Sequence, residues 1–201
     1  MVRTTPHPTN PNMQNWRRFI FLRHGQTDWN LEGRFQGESD IPLNATGLKQ
    51  AQDAAGRLKT VPISRIVSSP LVRALKTAAI VAERVDLPVH VDTQLRERSF
   101  GAFNGLVVAD VKRKHGLPVS EPAASILPPD AEQWPDTLTR SETAIGKWMD
   151  ACPGETLLFV AHDGIFGALA EVLAGSKLVS KHGTPYAFDK GADGWDVSEI
   201  G

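Results

Sequence analysis

The stretch Phe19–Gly25 reads Phe-Ile-Phe-Leu-Arg-His-Gly and changes within a few residues from an apolar run to a polar, glycine-containing loop. The run Phe19–Leu22 predicts a buried strand. The loop that follows, Arg23–Leu43, opens with a guanidinium and an imidazole. Because ligands of α/β proteins bind where parallel strands end, this junction is the first candidate site of the chain.

Strands and helices alternate outward from this junction. Further strands are predicted at Ile66–Ser68, Val89–Val91 and Thr156–Ala161, and a closing hairpin over Thr184–Ile200 that turns at Gly191–Gly194. The predicted helices cover about Asn44–Lys59, Ser69–Val85, Val107–His115, Asp136–Ala151 and Ile165–Leu173, with Ser69 as the hydroxyl cap and Pro70 in the first turn of the second. Such alternation is typical of a layered α/β fold with a mainly parallel sheet.

The length of 201 residues suits one domain. Residues 1–15 are rich in Thr, Pro and Asn and predict a flexible leader, so residues 16–201 form the expected domain. A proline-rich lid or insertion is expected at about residues 106–135. Its irregular part, residues 116–135, holds Pro118, Pro122, Pro128, Pro129 and Pro135.

Composition disfavours several classes of partner. The net charge of −1 gives no general field that would recruit nucleic acid or an anionic membrane, so an anion site must be built locally. No run of apolar residues is long enough to span a bilayer, and the first fifteen residues lack the apolar run of a signal peptide. The single cysteine, Cys152, forms no intrachain disulfide, which favours a cytoplasmic location.

Two histidines follow predicted strands in the same way. His24 is followed by Gly25 and Thr27, and His162 by Asp163-Gly164. Taken alone, His24 is more typical of a surface or structural residue, and metal binding or coincidence is the alternative interpretation of His162. Two such loops can nevertheless bring both imidazoles to one crevice. No third His, Cys or carboxylate stands at ligand spacing beside either histidine, so metal binding is disfavoured.

Three charged residues can reach the same crevice. Arg23 offers a planar fork that suits phosphate oxygens, and Arg73 lies one turn into its predicted helix, at the loop-proximal end. Glu97 stands in the run Leu95-Arg96-Glu97-Arg98. A solvated helix charge and a solvated charge run are the alternative interpretations of Arg73 and Glu97.

Four stretches carry a resemblance to a known family. They are FLRHGQTDWNLEGRFQGESDIPLNATG (21–47), SSPLVRA (68–74), LRERSFGAFNG (95–105) and VAHDG (160–164). In order and spacing the chain, from Phe19 to about Leu173, resembles the histidine phosphatase superfamily, which includes cofactor-dependent phosphoglycerate mutases and the broad-specificity and α-ribazole phosphatases. The resemblance implies a phosphoglycerate mutase-like, three-layer α/β/α fold with helices on both faces of the sheet.

The resemblance also implies roles for individual residues. His24 would be the nucleophile, phosphorylated on its distal ring nitrogen, and Glu97 the acid and base. Arg23, Arg73 and a protonated His162 would clamp the phosphoryl oxygens. The further residues expected to bind phosphate are Asn30, Gln26, Thr27 and Gly164. No metal and no cofactor are implied, because two Arg and two His can supply the positive charge.

Three positions depart from the family's pattern. Asp163 stands where glycine is common and is expected to point away from the phosphate or to bond its own backbone. Gly167 stands where many members have Arg, and Phe103-Asn104-Gly105 replaces Trp-Glu-Gly. The basic run Lys112-Arg113-Lys114 either faces an anionic substrate or, as is more usual, forms a solvated helix face.

The sequence favours a metal-independent phosphatase that hydrolyses small phosphorylated metabolites through a phosphohistidine at His24. A cofactor-dependent phosphoglycerate mutase is the alternative, and a non-catalytic phospho-ligand-binding domain is a third. Mutases carry extra basic residues for the substrate carboxylate, whereas residues 116–135 contain no Lys or Arg and Val108 replaces a family Lys. Gln26, and the short interval from Glu97 to His162, also favour the phosphatase.

Overall fold

The computed structural model describes residues 11–201, and a six-stranded sheet forms its centre. The strands are β1 Arg18–Arg23, β2 Arg65–Ser68, β3 Val89–Val91, β4 Leu157–Ala161, β5 Pro185–Lys190 and β6 Trp195–Glu199. Their order is β3-β2-β4-β1-β5-β6. The first four are mutually parallel, with Phe19 opposite Leu157, while β5 and β6 add an antiparallel edge beside β1. The mainly parallel sheet is therefore confirmed.

Helices cover both faces of this sheet, as predicted. They are α1 Asp28–Leu31, α2 Ala45–Leu58, α3 Val72–Val85, α4 Val108–Lys114, α5 Trp134–Ala151 and α6 Asp163–Ala174. Short 3-10 turns lie at Pro11–Asn15, Thr93–Leu95, Gly101–Phe103 and Ala123–Ile126. Helices α2 and α3 pack together on one face, and α5 and α6 on the other.

The alternation of side chains along β1 explains the two cores. Phe19 and Phe21 point to the face of α5 and α6, where Phe19 stacks on Phe188 with ring centroids 4.6 Å apart. Ile20 and Leu22 point to the opposite face, among the alanines of α2 and α3. These four strand residues are completely buried, so an uninterrupted apolar run here reflects burial on both sides of the sheet.

Helix α3 begins at Val72, two residues after the predicted start at Pro70. Its first amide, Val72 N–H, donates to Asp40 Oδ1 at 2.6 Å. Ser69 does not cap the helix; its Oγ accepts instead from Leu71 N–H at 3.3 Å. The cap thus comes from a residue that is distant in sequence, which a local pattern cannot indicate.

The structure shows part of the expected leader and all of the expected lid. Residues 1–10 lie outside the described part of the chain. Pro11–Asn15 form a 3-10 helix, and Met13 packs against the core. Residues 116–133 are irregular, as expected, apart from the turn Ala123–Ile126. Helix α5 begins at Trp134, two residues before its predicted start, because Pro135 is accepted in the first turn of a helix. Among the described residues no helix combines the length and the apolar character that crossing a membrane requires.

Candidate active site

Two neighbouring parallel strands bring the two histidines together. His24 directly follows β1 and His162 directly follows β4, and His24 N–H donates to Ala161 O at 3.0 Å across the pair. The two imidazole centroids lie 5.1 Å apart. The crevice expected at the carboxyl ends of these strands is therefore present.

His24 is held as a neutral imidazole of one tautomer. Its Nδ1 lies 2.7 Å from Gly25 O, and because a carbonyl only accepts, Nδ1 carries the hydrogen. Arg73 Nε donates to the other nitrogen, Nε2, at 3.2 Å. Burial lowers the pKa of His24 well below its usual value, and the charges of Arg73 and Arg23 lower it further. The distal nitrogen is thus an unprotonated electron-pair donor.

The loop after β1 needs glycine at Gly25. A Cβ there would lie 2.2 Å from Gly47 O, at the start of α2. The close approach of two backbones fixes the carbonyl that orients His24.

Two carbonyl oxygens of the loop before α2, together with His24, hold the Arg73 guanidinium group. Its Nη1 donates to Ser39 O at 2.7 Å and its Nη2 to Gly37 O at 2.8 Å, while Nε reaches His24. Burial lowers the pKa of Arg73 to about 10, so the guanidinium stays charged at neutral pH. A solvated helix charge, the alternative interpretation, does not describe this fully buried side chain.

His162 is also completely buried, and its Nε2 lies 2.7 Å from Ser69 Oγ. Its Nδ1 has no hydrogen-bond partner among the described residues. Burial, and next the charge of Arg73, lower the pKa of His162 well below its usual value. The protein alone favours the neutral ring; the protonated state expected from the resemblance needs the charge of a phosphate group.

Glu97 is a buried carboxyl group on the same cavity. Its Oε1 accepts from Arg98 N–H at 2.9 Å and its Oε2 from Gly164 N–H at 3.4 Å. Burial raises the pKa of Glu97, the Arg98 amide and the charge of Arg73 oppose the rise, and Asp163 adds to it. Gly164 thus directs its amide at Glu97 rather than at a phosphate site.

Arg23 meets a carboxylate, contrary to expectation. Its Nη1 donates to Ser180 O at 2.6 Å and lies 3.4 Å from Asp163 Oδ1. Asp163 neither points away nor bonds its own backbone, since its Oδ1 accepts from the amide and the hydroxyl of Ser180. This departure from the family's glycine therefore belongs to the site.

The polar residues after His24 divide into two groups. Asn30 lines the cavity, and its Oδ1 accepts from Thr27 N–H at 3.1 Å, which leaves its NH₂ group as a possible donor to a ligand. Thr27 caps α1 and Gln26 Oε1 accepts from Asn44 Nδ2 at 3.1 Å, and neither residue lines the cavity. These two residues shape the loop.

The cavity has a volume of about 690 Å³ and extends well beyond the polar groups. Its outer wall is mostly apolar and includes Phe35, Phe100, Val108, Pro122, Leu127, Trp134, Leu178 and Val179. Three cations also line it, namely Arg34, Arg98 and Lys177. Gly167 also lies on this wall, at the position where the resemblance implies an Arg side chain.

Two residues near His24 and the cavity, Arg98 and His182, were not among the candidates from the sequence. Arg98 lies over the rings of Phe100 and Trp134, 5.5 and 5.3 Å from their centroids. His182 lies 5.8 Å from His24 between ring centroids, and burial lowers its pKa to about 4. Arg98 stands inside a matched stretch, which was a sequence signal for it. Trp134 and His182 lie outside the matched stretches, and no local pattern indicates a place near the cavity for either.

The basic run on α4 does not line the cavity. Lys112 Nζ donates to Val119 O at 2.8 Å, and Arg113 pairs with Asp110 on the exposed face of the helix. The interpretation as a solvated face is correct for Arg113, whereas Lys112 ties α4 to the following segment. Over residues 11–201, no group of three or more His, Cys, Asp or Glu side chains is placed to hold a metal ion.

Comparison with known proteins agrees with this arrangement. The model of the histidine phosphatase superfamily (branch 1) matches residues 19–185. An uncharacterized phosphatase, PhoE, from Bacillus subtilis is 33% identical over 154 residues, which cover 77% of this chain and 76% of PhoE. A probable phosphoglycerate mutase, GpmB, from Proteus mirabilis is 32% identical over 159 residues, 77% of this chain and 73% of GpmB.

A solved structure gives the same result. A mycobacterial glucosyl-3-phosphoglycerate phosphatase in complex with VO3 superposes with a TM-score of 0.78 and 29% identity, over 91% of this chain and 97% of that one. The sequence matches and the superposed fold agree. The chain belongs to the histidine phosphatase superfamily and is a phosphatase-type member of it.

Proposed function

We propose that this phosphatase hydrolyses small phosphate monoesters through a phosphohistidine on His24 and without a metal ion. The observation that carries the proposal is the hydrogen bond from His24 Nδ1 to Gly25 O. It makes Nε2 the nucleophile, on a cavity that also holds a buried acid and fixed cations.

In the first step His24 Nε2 attacks phosphorus. The P–N bond forms as the bond from phosphorus to the ester oxygen breaks, and Glu97 gives its proton to the leaving alcohol. Arg23, Arg73 and His162 hold the equatorial oxygens, on which charge must be stabilised. The Arg73 bond to Nε2 must lengthen as phosphorus approaches, and this guanidinium then turns to the phosphoryl group.

In the second step water attacks the phosphohistidine. Glu97, now a carboxylate, takes a proton from the water as the new P–O bond forms and the P–N bond breaks. Inorganic phosphate leaves and His24 returns to its neutral tautomer. The raised pKa of Glu97 supports both roles, because the group must be protonated in one step and ionised in the next.

The positive charge for this chemistry comes from side chains. The carbonyl oxygens of Ser39 and Gly37 hold Arg73, and that of Ser180 holds Arg23. Only the Arg73 bond to His24 has to be exchanged before both guanidinium groups donate to phosphoryl oxygens. Preorganised charge of this kind fulfils the role that Mg²⁺ has in P-loop enzymes. The lone Cys152 supports a reducing, cytoplasmic setting for the reaction.

A phosphoglycerate mutase is the second candidate, because Arg34, Arg98 and Lys177 line the cavity outside the phosphate site. The phosphatase is favoured by the apolar outer wall, on which Val108 replaces a family lysine. A wide cavity also admits water, which competes for the phosphohistidine.

Product analysis separates these candidates. The protein is incubated with p-nitrophenyl phosphate, and with 3-phosphoglycerate in the presence of 2,3-bisphosphoglycerate. We expect phosphate release from monoesters. Rapid formation of 2-phosphoglycerate with negligible phosphate release would establish the mutase instead, and binding without turnover of any ester would indicate a phospho-ligand-binding domain.

A further inference from the structure

Asp163 occupies an unusual place for a carboxylate. It is the first residue of α6, directly after His162, and it lines the same cavity as Glu97. Its Oδ1 accepts from Ser180 N–H at 2.8 Å and from Ser180 Oγ at 2.7 Å. These bonds orient the carboxylate, because Ser180 is itself buried.

The oriented carboxylate faces Arg23. Asp163 Oδ1 lies 3.4 Å from Arg23 Nη1, which also donates to Ser180 O, and Arg23 Nε is buried with no hydrogen-bond partner among the described residues. The backbone of Arg23 joins the same segment, because Gly183 N–H donates to Arg23 O at 3.1 Å. Asp163 and Ser180 therefore fix the guanidinium in position and offset part of its charge.

The offset has a consequence for catalysis. The groups that stabilise a transferring phosphoryl group also attract the phosphate ion that is released. Asp163 and Glu97 lie on this cavity together with Arg23 and Arg73. A third carboxyl group, Glu171, also lines it and accepts from Trp134 Nε1 at 3.0 Å. A negative charge next to Arg23 reduces the attraction for phosphate, because the carboxylate repels the phosphate ion while Arg23 attracts it. Both interactions are strong at such distances in a partly buried site.

We propose that Asp163 is a positioning residue that holds Arg23 for catalysis and acts as a built-in counter-charge that promotes release of inorganic phosphate. The inference rests on the proposed function for its meaning in turnover. Its physical content, the effect of Asp163 on phosphate binding, is independent of turnover.

The test compares Asp163→Asn with the parent protein. Asparagine keeps the oxygen that accepts from Ser180 and removes the charge. We expect the dissociation constant of inorganic phosphate, measured by calorimetry at fixed pH and ionic strength, to fall about tenfold. In steady-state assays KM should fall as well, with no rise in kcat, because the product leaves more slowly.

Two further variants make the comparison specific. Asp136→Asn removes an exposed carboxylate from the first turn of α5, outside the cavity, and controls for the loss of one charge at a helix start. Ser180→Ala removes one bond to Asp163 but keeps its charge, and we expect no tighter phosphate binding.

The outcomes are distinct. Tighter phosphate binding in Asp163→Asn alone supports the proposal. Unchanged or weaker binding in Asp163→Asn, or equal tightening in Asp136→Asn or Ser180→Ala, overturns it. If the parent protein hydrolyses no monoester, the proposed function fails, whereas the calorimetric comparison still decides the role of Asp163.

Discussion

At the scale of single residues, the pKa values of two buried groups are shifted in the directions that the first step of the proposed reaction needs. His24 is neutral because burial and two guanidinium groups disfavour its cation. Glu97 keeps its proton to higher pH than an exposed glutamate because burial disfavours its anion. Both pKa shifts thus have the direction that the proposed nucleophile and the proposed acid need.

The pH dependence of kcat/KM follows from these two shifts. Activity should fall at low pH as His24 gains a proton, and since its pKa is lowered, that loss lies well below the usual histidine range. At higher pH activity should fall as Glu97 loses its proton, and since its pKa is raised, this limb lies above the usual glutamate range. Profiles of kcat/KM against pH, corrected for ionisation of the ester, measure both limbs.

The variant Glu97→Gln tests the assignment of the second limb. Removing a general acid costs roughly 10²–10⁴-fold in rate for esters with poor leaving groups. Esters with good leaving groups need less protonation, so their phosphorylation step should be less affected. An equal loss across a leaving-group series, measured before dephosphorylation limits the rate, would contradict the role of Glu97 as acid.

At the scale of elements, the start of α3 joins stability to the site. Asp40 accepts from Val72 N–H, and the neighbouring carbonyl of Ser39 accepts from Arg73. A long-range cap thus fixes both the first turn of the helix and the loop that holds the guanidinium.

Loss of this cap should affect stability and activity together. We expect Asp40→Ala to lower the free energy of unfolding by about 1 kcal/mol, as for other N-cap losses. KM should rise as well, because the loop that positions Arg73 loosens. Denaturant titration and steady-state kinetics measure the two effects. Asp53→Ala, an exposed substitution on α2, serves as the control and should change neither.

The same scale shows how far the sequence could predict the structure. The strands and long helices were predictable because uninterrupted apolar runs and helical periodicity reflect burial. The start of α3 was not, because its cap comes from Asp40. Helix α1 was not predicted, because its four residues stand in a polar loop and none of them is buried. A capping box formed by Thr27 and Asn30 holds its start.

Prediction of the site has a similar limit. His24, Arg73, Glu97 and His162 were candidates because each stands in a matched stretch. The structure places His24, Arg73 and Glu97 on one cavity, with the buried ring of His162 beside His24. The contact of Asp163 with Ser180 and Arg23 depends on the tertiary placement of a loop far along the chain. Such a contact has no local pattern.

At the scale of the whole molecule, positive charge is concentrated locally in a protein of net charge −1. The topology places β1 beside the parallel strand β4, so Arg23, His24 and His162 meet at the carboxyl ends of these two strands. Arg73 joins them from α3. The fold therefore brings these four side chains from β1, β4 and α3 to the proposed anion site, in a protein without a large net positive charge.

Because this charge comes from side chains, chelators should not inhibit the enzyme. We expect phosphatase activity to be the same after dialysis against EDTA and after later addition of a divalent metal. A metal-dependent phosphatase loses activity when its metal is removed, because the metal supplies charge that the reaction needs, so the assay distinguishes the two classes. Complete loss of activity with EDTA, restored by one divalent metal, would refute the metal-independent mechanism.

The covalent intermediate is the central claim, and rapid-quench labelling with a ³²P-monoester tests it most directly. The parent protein should form a base-stable, acid-labile adduct on His24 that appears before phosphate release, and His24→Ala should show neither adduct nor turnover. Full activity in His24→Ala, or a label located on another residue, would contradict the account.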